Sequence, residues 1–126
     1  MNTTGEKWIY VNENKGDFCR FMYSQGWEEV ISELALQRQH KNGYVRKKAV
    51  QFLTAIGVPQ VLEPVTSFLD DDFTDSRKAA IQALGEIGDE RVLNSLAQCA
   101  QDKNLILRLS ARNAIKKIES RQKKSQ

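Results

Sequence analysis

The sequence contains few of the residues from which most small catalytic or metal sites are built. Its 126 residues include two cysteines, two prolines and one histidine. Cys19 and Cys99 stand far apart, so neither a disulfide framework nor a zinc cluster has a recognisable ligand spacing. We interpret both thiols as small buried hydrophobic side chains. His40 is the single histidine, and one imidazole cannot complete a metal site with two distant thiols. The sequence therefore predicts neither a metal nor a cofactor.

Long apolar runs are also absent. No stretch approaches the roughly 18 consecutive apolar residues that a membrane helix needs, and the first residues lack the apolar core of a secretory signal. The composition, 40% hydrophobic and 28% charged, is that of an ordinary folded domain. The sequence therefore predicts a single cytoplasmic domain that does not contact a membrane.

Charge is unevenly distributed along the chain. Residues 1–107 carry a net charge of −3, whereas residues 108–126 carry +6. Such a cluster can attract nucleic acid or another acidic partner. It is also typical of a solvated last helix whose cations complement the negative end of its dipole, and we favour that interpretation. The basic residues are Arg108, Arg112, Lys116, Lys117, Arg121, Lys123 and Lys124.

What the sequence does contain is an internal repeat. Three segments align without gaps, at 45–57 (VRKKAVQFLTAIG), 76–88 (SRKAAIQALGEIG) and 107–119 (LRLSARNAIKKIE). Their arginines are spaced 31 residues apart. Within each segment small or apolar residues recur every three or four positions, which predicts an amphipathic α-helix. A second apolar set follows the first two segments in the same register, so each unit is predicted to be a pair of helices.

The register extends beyond these units. Val30, Ile31 and Leu34 match the second helix of an earlier unit, whose first helix we predict at about residues 17–25. After the third full pair, one helix is predicted from residue 104 to about residue 120. The total is about three and a half helix pairs with a 31-residue period.

Glycine and proline mark the predicted helix ends. Gly26, Gly57 and Gly88 occupy the same place in three units, where a residue in the left-handed conformation commonly ends a helix. Pro59 suits a helix start. Pro64 lies further along, so we expect a late start or a local distortion in the helix that contains it.

The repeated unit resembles a known family. It reads as an acidic residue, a short gap, Val-Arg-x-x-Ala-x-x-Ala-Leu-x-x-Ile-Gly, and then a second leucine-rich helix. In this form it resembles the HEAT-like repeats, specifically the short kind named after phycobilisome lyases, over about residues 40–118. His40 departs from the acidic position that Asp71 and Asp102 occupy. The resemblance implies an all-α, right-handed α-solenoid with first helices on the convex side and second helices on the concave side.

The repeated arginines are predicted to be structural. Arg46, Arg77 and Arg108 stand at helix starts, where the helix dipole disfavours a cation unless another group compensates for it. Asp71 and Asp102, or a neighbouring loop carbonyl, can supply that compensation. We therefore predict a ladder of contacts between repeats, and not a row of arginines that binds phosphates.

The sequence shows no catalytic constellation. An enzyme needs an activated nucleophile, an acid and base pair, or metal ligands. The chain has neither a His-Glu dipeptide nor a glycine-rich phosphate loop. The acidic run 70–72, with Asp75, lacks the spacing and the glycine of a calcium loop, so we interpret it as capping the next helix. The protein is predicted not to be an enzyme.

Aromatic residues concentrate in the first third of the chain. The segment Trp-Ile-Tyr-Val at 8–11 is predicted to cover the open end of the solenoid, with a binding edge as the alternative because Trp and Tyr are common interface anchors. The predicted boundaries are an extended cap or disordered segment at 1–16, the repeat domain at 17–120 and a disordered basic tail at 121–126.

The function that the sequence predicts is that of a small protein-binding adaptor or scaffold. Its concave groove would take a peptide or folded protein with a basic or polar surface. The candidate groove residues are Glu29, Ser32, Glu33, Gln60, Glu63, Ser67, Arg91, Asn94 and Gln98.

Two other functions stay open. The resemblance suggests an accessory subunit of a bilin lyase or another chromophore-handling system. The basic last helix suggests nucleic-acid binding, although the rest of the chain is net acidic. Solenoid ends pack readily on other surfaces, so both a monomer and a homodimer through those ends are compatible with the sequence.

Overall fold

The computed structural model describes residues 16–124 and contains seven α-helices and no strand within that range. The helices are α1 (Gly16–Ser24), α2 (Glu29–Ala35), α3 (Gly43–Ile56), α4 (Leu62–Thr66), α5 (Thr74–Ile87), α6 (Leu93–Cys99) and α7 (Leu105–Lys124). The predicted all-α fold of three and a half helix pairs is confirmed. The predicted aromatic cap at 8–11 lies outside the described residues.

The odd-numbered helices form one layer of the molecule. Helix α1 contacts α3, α3 contacts α5, and α5 contacts α7. Ala49, Ala80 and Ala111, which occupy the same position in three successive units, are fully buried. The shorter even-numbered helices form the second layer, and each packs on the first helix of the following pair. The result is an α-solenoid in which every unit buries its apolar face against a neighbour.

The core is continuous from α1 to α7. Cys19 and Val30 lie at one end of it and Ile118 at the other, and all three are buried. Its largest fully buried side chain is Phe68, which follows α4. No helix in the described part of the chain is long and apolar enough to cross a membrane.

The second helices begin late. A 3₁₀ segment at Pro59–Val61 precedes α4, so Pro64 falls in the first turn, where its missing N–H removes no helical hydrogen bond. Helix α6 starts in the same way, after a 3₁₀ segment at Glu90–Val92, although Ser95 stands at the position equivalent to Pro64. The late start is therefore a property of the repeat and is not caused by the proline.

The glycines at the ends of first helices do not all act in the same way. Gly26 and Gly57 have positive φ values of 103° and 70°. Gly88 has φ −85° and ψ 172°, so the predicted left-handed conformation is wrong there. A Cβ at Gly88 would collide with the carbonyl oxygen of Leu84 and come within 2.7 Å of Cγ2 of Val92. A side chain here would meet the end of α5 itself and Val92 of the following 3₁₀ segment, so lack of space, and not the backbone conformation, requires this glycine.

The C-terminal helix is longer than predicted. Helix α7 continues to Lys124, so the prediction of a disordered tail is wrong for residues 121–124. In these last turns, the guanidinium of Arg121 donates hydrogen bonds to the carbonyl oxygens of Gly85 (2.8 Å) and Gly88 (2.7 Å). A cation at the end of α5 satisfies carbonyls that have no helical partner. Arg121 thereby ties the last turns of α7 to the preceding unit.

Candidate partner-binding site

The arginine at the start of α3 is bonded to two units at once. Its Nε and one Nη donate to the two carboxylate oxygens of Asp71, at 2.7 and 3.0 Å. The other Nη of Arg46 donates to the carbonyl oxygen of His40, at 2.6 Å. The Arg46 and Asp71 side chains are 11% and 4% exposed. This is a bidentate ion pair between successive repeats, nearly closed to solvent.

The same geometry recurs along the solenoid in weaker form. Arg77 donates to the carbonyl oxygen of Asp71 at 3.0 Å, and Arg108 donates to that of Asp102 at 2.9 Å. The Arg77 and Asp102 side chains are 3.9 Å apart and 23% and 30% exposed. The repeated arginines are therefore engaged by the protein itself, which leaves them poorly placed to bind phosphates together.

The residue six positions before each arginine also shapes the turn between repeats. Nδ1 of His40, Oδ1 of Asp71 and Oδ1 of Asp102 each accept a hydrogen bond from the backbone N–H two residues later, at 2.9, 2.8 and 2.7 Å. A histidine nitrogen can therefore replace a carboxylate oxygen at this position. That substitution explains how His40 departs from the acidic pattern without loss of the turn.

Burial and hydrogen bonding act in opposite directions on this ion pair. Burial alone would raise the pKa of Asp71, but hydrogen bonds from Arg46 and from the N–H of Phe73 outweigh it and hold that pKa below its ordinary value. The hydrogen bond to Asp71 raises the pKa of Arg46 against the effect of burial. Both groups are therefore charged at neutral pH.

A cleft opens on the face formed by the second helices. Its volume is about 560 Å³, and we call it the central cleft. Leu62 and Val92 are buried at its base, while Gln60, Glu63 and Arg91 are exposed at its rim. The residues that line the central cleft are Pro59, Gln60, Leu62, Glu63, Thr66, Ser67, Arg91 and Val92.

A second concavity of about 370 Å³ adjoins the central cleft and shares Thr66 and Ser67 with it. We call it the adjoining depression. Asp70 and Asp102 give it two carboxylates, and Arg38 gives it one guanidinium. The residues that line the adjoining depression are Arg38, Thr66, Ser67, Leu69, Asp70, Ser95, Gln98, Cys99 and Asp102.

The cations of both concavities are already bonded within the protein. Arg91 contacts the carboxylate of Asp89, with Nη2 and Oδ2 2.6 Å apart, and this contact lowers the pKa of Asp89. Arg38 donates to the carbonyl oxygen of Ser67 at 2.7 Å and to Oδ1 of Asp70 at 3.3 Å. Glu63 forms no ion pair with any described residue. Within the part of the chain that the structure describes, the face that carries the two concavities therefore offers a partner no unpaired cation and at least one unpaired carboxylate, that of Glu63.

The predicted groove residues divide between these concavities and other places. Gln60, Glu63, Ser67 and Arg91 line the central cleft, and Ser67 and Gln98 line the adjoining depression. These five residues therefore lie together on one face.

The other four predicted groove residues line neither concavity. Glu29, Ser32 and Glu33 belong to α2, one unit away, where the Ser32 hydroxyl donates to the carbonyl oxygen of Glu29 at 3.0 Å. Asn94 is exposed on α6 outside the lining of both concavities. Five of the nine predicted groove residues thus line a concavity, and their role in binding a partner stays a prediction.

Sequence reasoning missed several polar residues of the site, namely Arg38, Thr66, Asp70 and Ser95, and it gave Asp102 only a structural role. Arg38 has no equivalent in the repeat, since Leu69 and Ala100 stand at its positions in later units. Thr66 donates from its hydroxyl to the carbonyl oxygen of Leu62 at 2.7 Å, which leaves its methyl group available to the cleft. A polar residue at a position where other repeats have alanine was the available signal for Thr66, because Ala35 and Ala97 are its equivalents.

The site offers binding groups and no activated nucleophile. Burial raises the pKa of Cys99, which lines the adjoining depression, and raises that of the fully buried Cys19 to about 11. Between residues 16 and 124, no group of three or more His, Cys, Asp or Glu residues is placed to hold a metal ion. Thiols with raised pKa values are poor nucleophiles at neutral pH.

These features define an α-solenoid of short helix pairs with a concavity between its second helices. The family model for HEAT repeats matches residues 30–116, which is more than half of the chain. The chain therefore belongs to the HEAT repeat family. The match is to HEAT repeats in general, and the resemblance to the phycobilisome-lyase kind stays a prediction. A search of the curated proteins found no matching relative.

Proposed function

We propose that the protein is an adaptor or scaffold that binds a segment of another protein in the central cleft and the adjoining depression. The observation that carries this proposal is a concavity with a buried apolar base and a polar rim, formed where two successive second helices meet. Binding sites in proteins commonly combine an apolar base with a few polar groups that orient the ligand. HEAT repeats are in general protein-interaction modules.

The chemistry of the two concavities indicates what the segment would carry. Leu62 and Val92 suit one apolar side chain, whose burial supplies most of the affinity. Beyond Thr66 and Ser67, the carboxylates of Asp70 and Asp102 lie 3.3 Å from Arg38 and 3.9 Å from Arg77, and both keep solvent-accessible surface that suits a basic or polar side chain of the same segment. A partner with a basic or polar surface around one apolar anchor is therefore the best match.

Site-directed photocrosslinking in the full chain tests the proposal. A photoreactive amino acid replaces Gln60 at the rim of the central cleft in one variant and Gln82, an exposed residue of α5, in the matched control. Both positions are exposed glutamines, so the two variants should have the same stability. Irradiation in lysate of the source organism is followed by mass spectrometry of the crosslinked products.

The proposal expects a protein crosslinked from position 60 and absent, or about tenfold weaker, from position 82. Sequencing of the crosslinked peptide should then show an apolar residue with a basic residue close to it. Equal crosslinking from both positions, or from position 82 alone, would contradict the assignment of the cleft.

A further inference from the structure

The last helix has an exposed face that differs from that of every earlier first helix. Leu107, Ala111, Ala114 and Ile118 of α7 are buried against the rest of the solenoid. The residues on the opposite side of the helix are separated by three, four or seven positions and so form one stripe. We call this stripe the C-terminal face; it consists of Leu105, Leu109, Arg112, Lys116 and Lys123, all exposed.

In α5, the equivalent side of the helix is buried against the next first helix. Ile81 and Gly85 of α5 are buried, and they lie 31 positions before Arg112 and Lys116. A Cβ on Gly85 would come within 2.8 Å of Cβ of Ala114, so this side of α5 packs directly on α7. The same side of α7 therefore carries two cations where α5 carries an apolar residue and a glycine.

The C-terminal face is unsuited to stacking another unit of the same kind. Burying Arg112 and Lys116 against apolar residues would remove their hydration without compensation. Neither of them, nor Lys123, forms an ion pair with a described residue. The side chains of Arg108 and Arg121 point elsewhere, since both donate to backbone carbonyls of the solenoid. Three cations are thus left for an external partner.

The first turns of the same face are apolar. Leu105 and Leu109 are 55% and 51% exposed, and they lie one helical turn apart. Ile106, also 55% exposed, borders them. At the equivalent positions α5 has the polar residues Thr74, Asp75 and Lys78. An apolar patch followed by a basic stripe on one helix is the surface of a helix that packs against another helix.

We propose that the C-terminal face docks an acidic amphipathic helix of a partner protein. Apolar residues of that helix cover Leu105 and Leu109, and its carboxylates, spaced by three or four residues, pair with Arg112, Lys116 and Lys123. Glu119 lies at the edge of the face, and its negative charge would repel partner carboxylates placed beyond that edge. This surface is separate from the central cleft, so the proposal goes beyond the proposed function and can fail independently of it.

Two other occupants fit the face less well. A second copy would present its other end, where Phe18 and Phe21 are exposed but the carboxylate of Asp17 is paired with Arg20 at 2.8 Å. That end supplies apolar surface and little free negative charge. Nucleic acid would supply the charge, but its phosphates would leave the exposed leucines uncovered. Of these three occupants, only the acidic amphipathic helix both covers the exposed leucines and pairs with the cations of the face.

Synthetic helical peptides test the proposal by fluorescence anisotropy on the full chain. The probe has two leucines one turn apart and glutamates at three- and four-residue spacing, prepared with the leucines at either end to allow both orientations. A matched peptide carries lysine in place of every glutamate. The protein variants are R112E/K116E on the face and, with the same change in charge, K41E/K103E in exposed loops.

The proposal expects the glutamate peptide to bind wild type and K41E/K103E, and to bind R112E/K116E about tenfold or more weakly. The lysine peptide should show the reverse preference and bind R112E/K116E best. The substituted side chains are exposed, so the thermal midpoints should stay equal. Equal binding of the two peptides to wild type, or equal losses in both variants, would overturn the proposal.

Two further measurements address the other occupants. Binding of a 20-base-pair DNA duplex that weakens in R112E/K116E but not in L105S/L109S, with no binding of the glutamate peptide, would assign the face to nucleic acid. Sedimentation that shows self-association abolished by L105S/L109S would assign it to a second copy. Either result overturns the acidic-helix proposal.

Discussion

Arg46 and Asp71 belong to successive repeats, stand 25 residues apart in the chain and form a bidentate ion pair that is almost closed to solvent. The equivalent pair one repeat later, Arg77 and Asp102, is longer and more exposed. We therefore expect these two contacts, which occupy the same place in the repeat, to contribute differently to stability. Without Asp71, the largely buried Arg46 would keep only one charged partner, the exposed carboxylate of Asp72 at 2.9 Å, whereas the more exposed Arg77 and Asp102 are better screened by water.

The contrast between the two pairs can be measured by alanine substitution. We predict that D71A lowers the free energy of unfolding by about 3 kcal/mol and that D102A lowers it by about 1 kcal/mol. Both substitutions also remove the hydrogen bond to the backbone N–H two residues later. That shared loss cancels in the comparison, and urea titrations of both variants report the difference between the ion pairs. Equal losses would contradict the account.

The lowered pKa of Asp71 predicts how stability depends on pH. A carboxyl group whose pKa is lower in the folded state stabilises the protein above its unfolded pKa of about 3.9 and loses that contribution as pH falls through the folded value. The stability gap between wild type and D71N should therefore stay constant from pH 7 to about pH 5 and close below about pH 4. Urea titrations across this range measure it. A gap unchanged down to pH 2.5 would show that the charge of Asp71 is not what stabilises the fold.

At Gly85, helix α5 lies directly against Ala114 of α7. Alanine at this position gains about 1 kcal/mol in helix propensity, but its Cβ would lie 2.8 Å from Cβ of Ala114 and 2.9 Å from its Cα. Because the backbone of α7 would have to shift, we predict that G85A is destabilised by about 1–2 kcal/mol in net terms. Q82A, at an exposed position of the same helix, should change stability by less than about 0.5 kcal/mol. A more stable G85A would contradict this packing.

Arg121 is predicted to hold the last turns of α7 in place. R121A loses two charge-assisted hydrogen bonds to the carbonyls of Gly85 and Gly88, and we expect it to lower the free energy of unfolding by about 1 kcal/mol. Amide hydrogen exchange should become faster in residues 119–124. K124A, which removes a neighbouring cation without those bonds, serves as the control. Exchange rates that are the same in both variants would show that Arg121 does not order the helix end.

The repeat made most of the fold predictable from the sequence. The 31-residue register and its apolar spacing predicted the helix pairs, because both follow from local periodicity. The reason for glycine at position 88 could not be predicted, because it depends on how closely Leu84 and Val92 lie to it in the folded chain and not on a positive φ. The length of α7 could not be predicted either, since Arg121 bonds to carbonyls 33 and 36 residues away.

The candidate site was predicted in part for a similar reason. The repeat pattern predicted Gln60, Glu63 and Arg91 as groove residues, and all three line the central cleft, because they are exposed positions at the start of second helices. Arg38 was missed because it lies outside the repeat pattern and reaches Ser67 from a 3₁₀ segment 29 residues earlier. A repeat predicts which residues share a face, but the position of a concavity depends on how two neighbouring units pack.

The most direct test of the proposed function is the affinity of the crosslinked partner for cleft variants. Isothermal titration would compare wild type, Q60W/E63R in the central cleft and Q82W/E86R on α5, all three checked for equal thermal midpoints. The cleft variant fills the space above Leu62 and reverses one charge, while the control makes the same changes at exposed positions of another helix. We predict that Kd rises about tenfold or more in Q60W/E63R and stays within about twofold in Q82W/E86R. An unchanged Kd in the cleft variant would contradict binding in the central cleft.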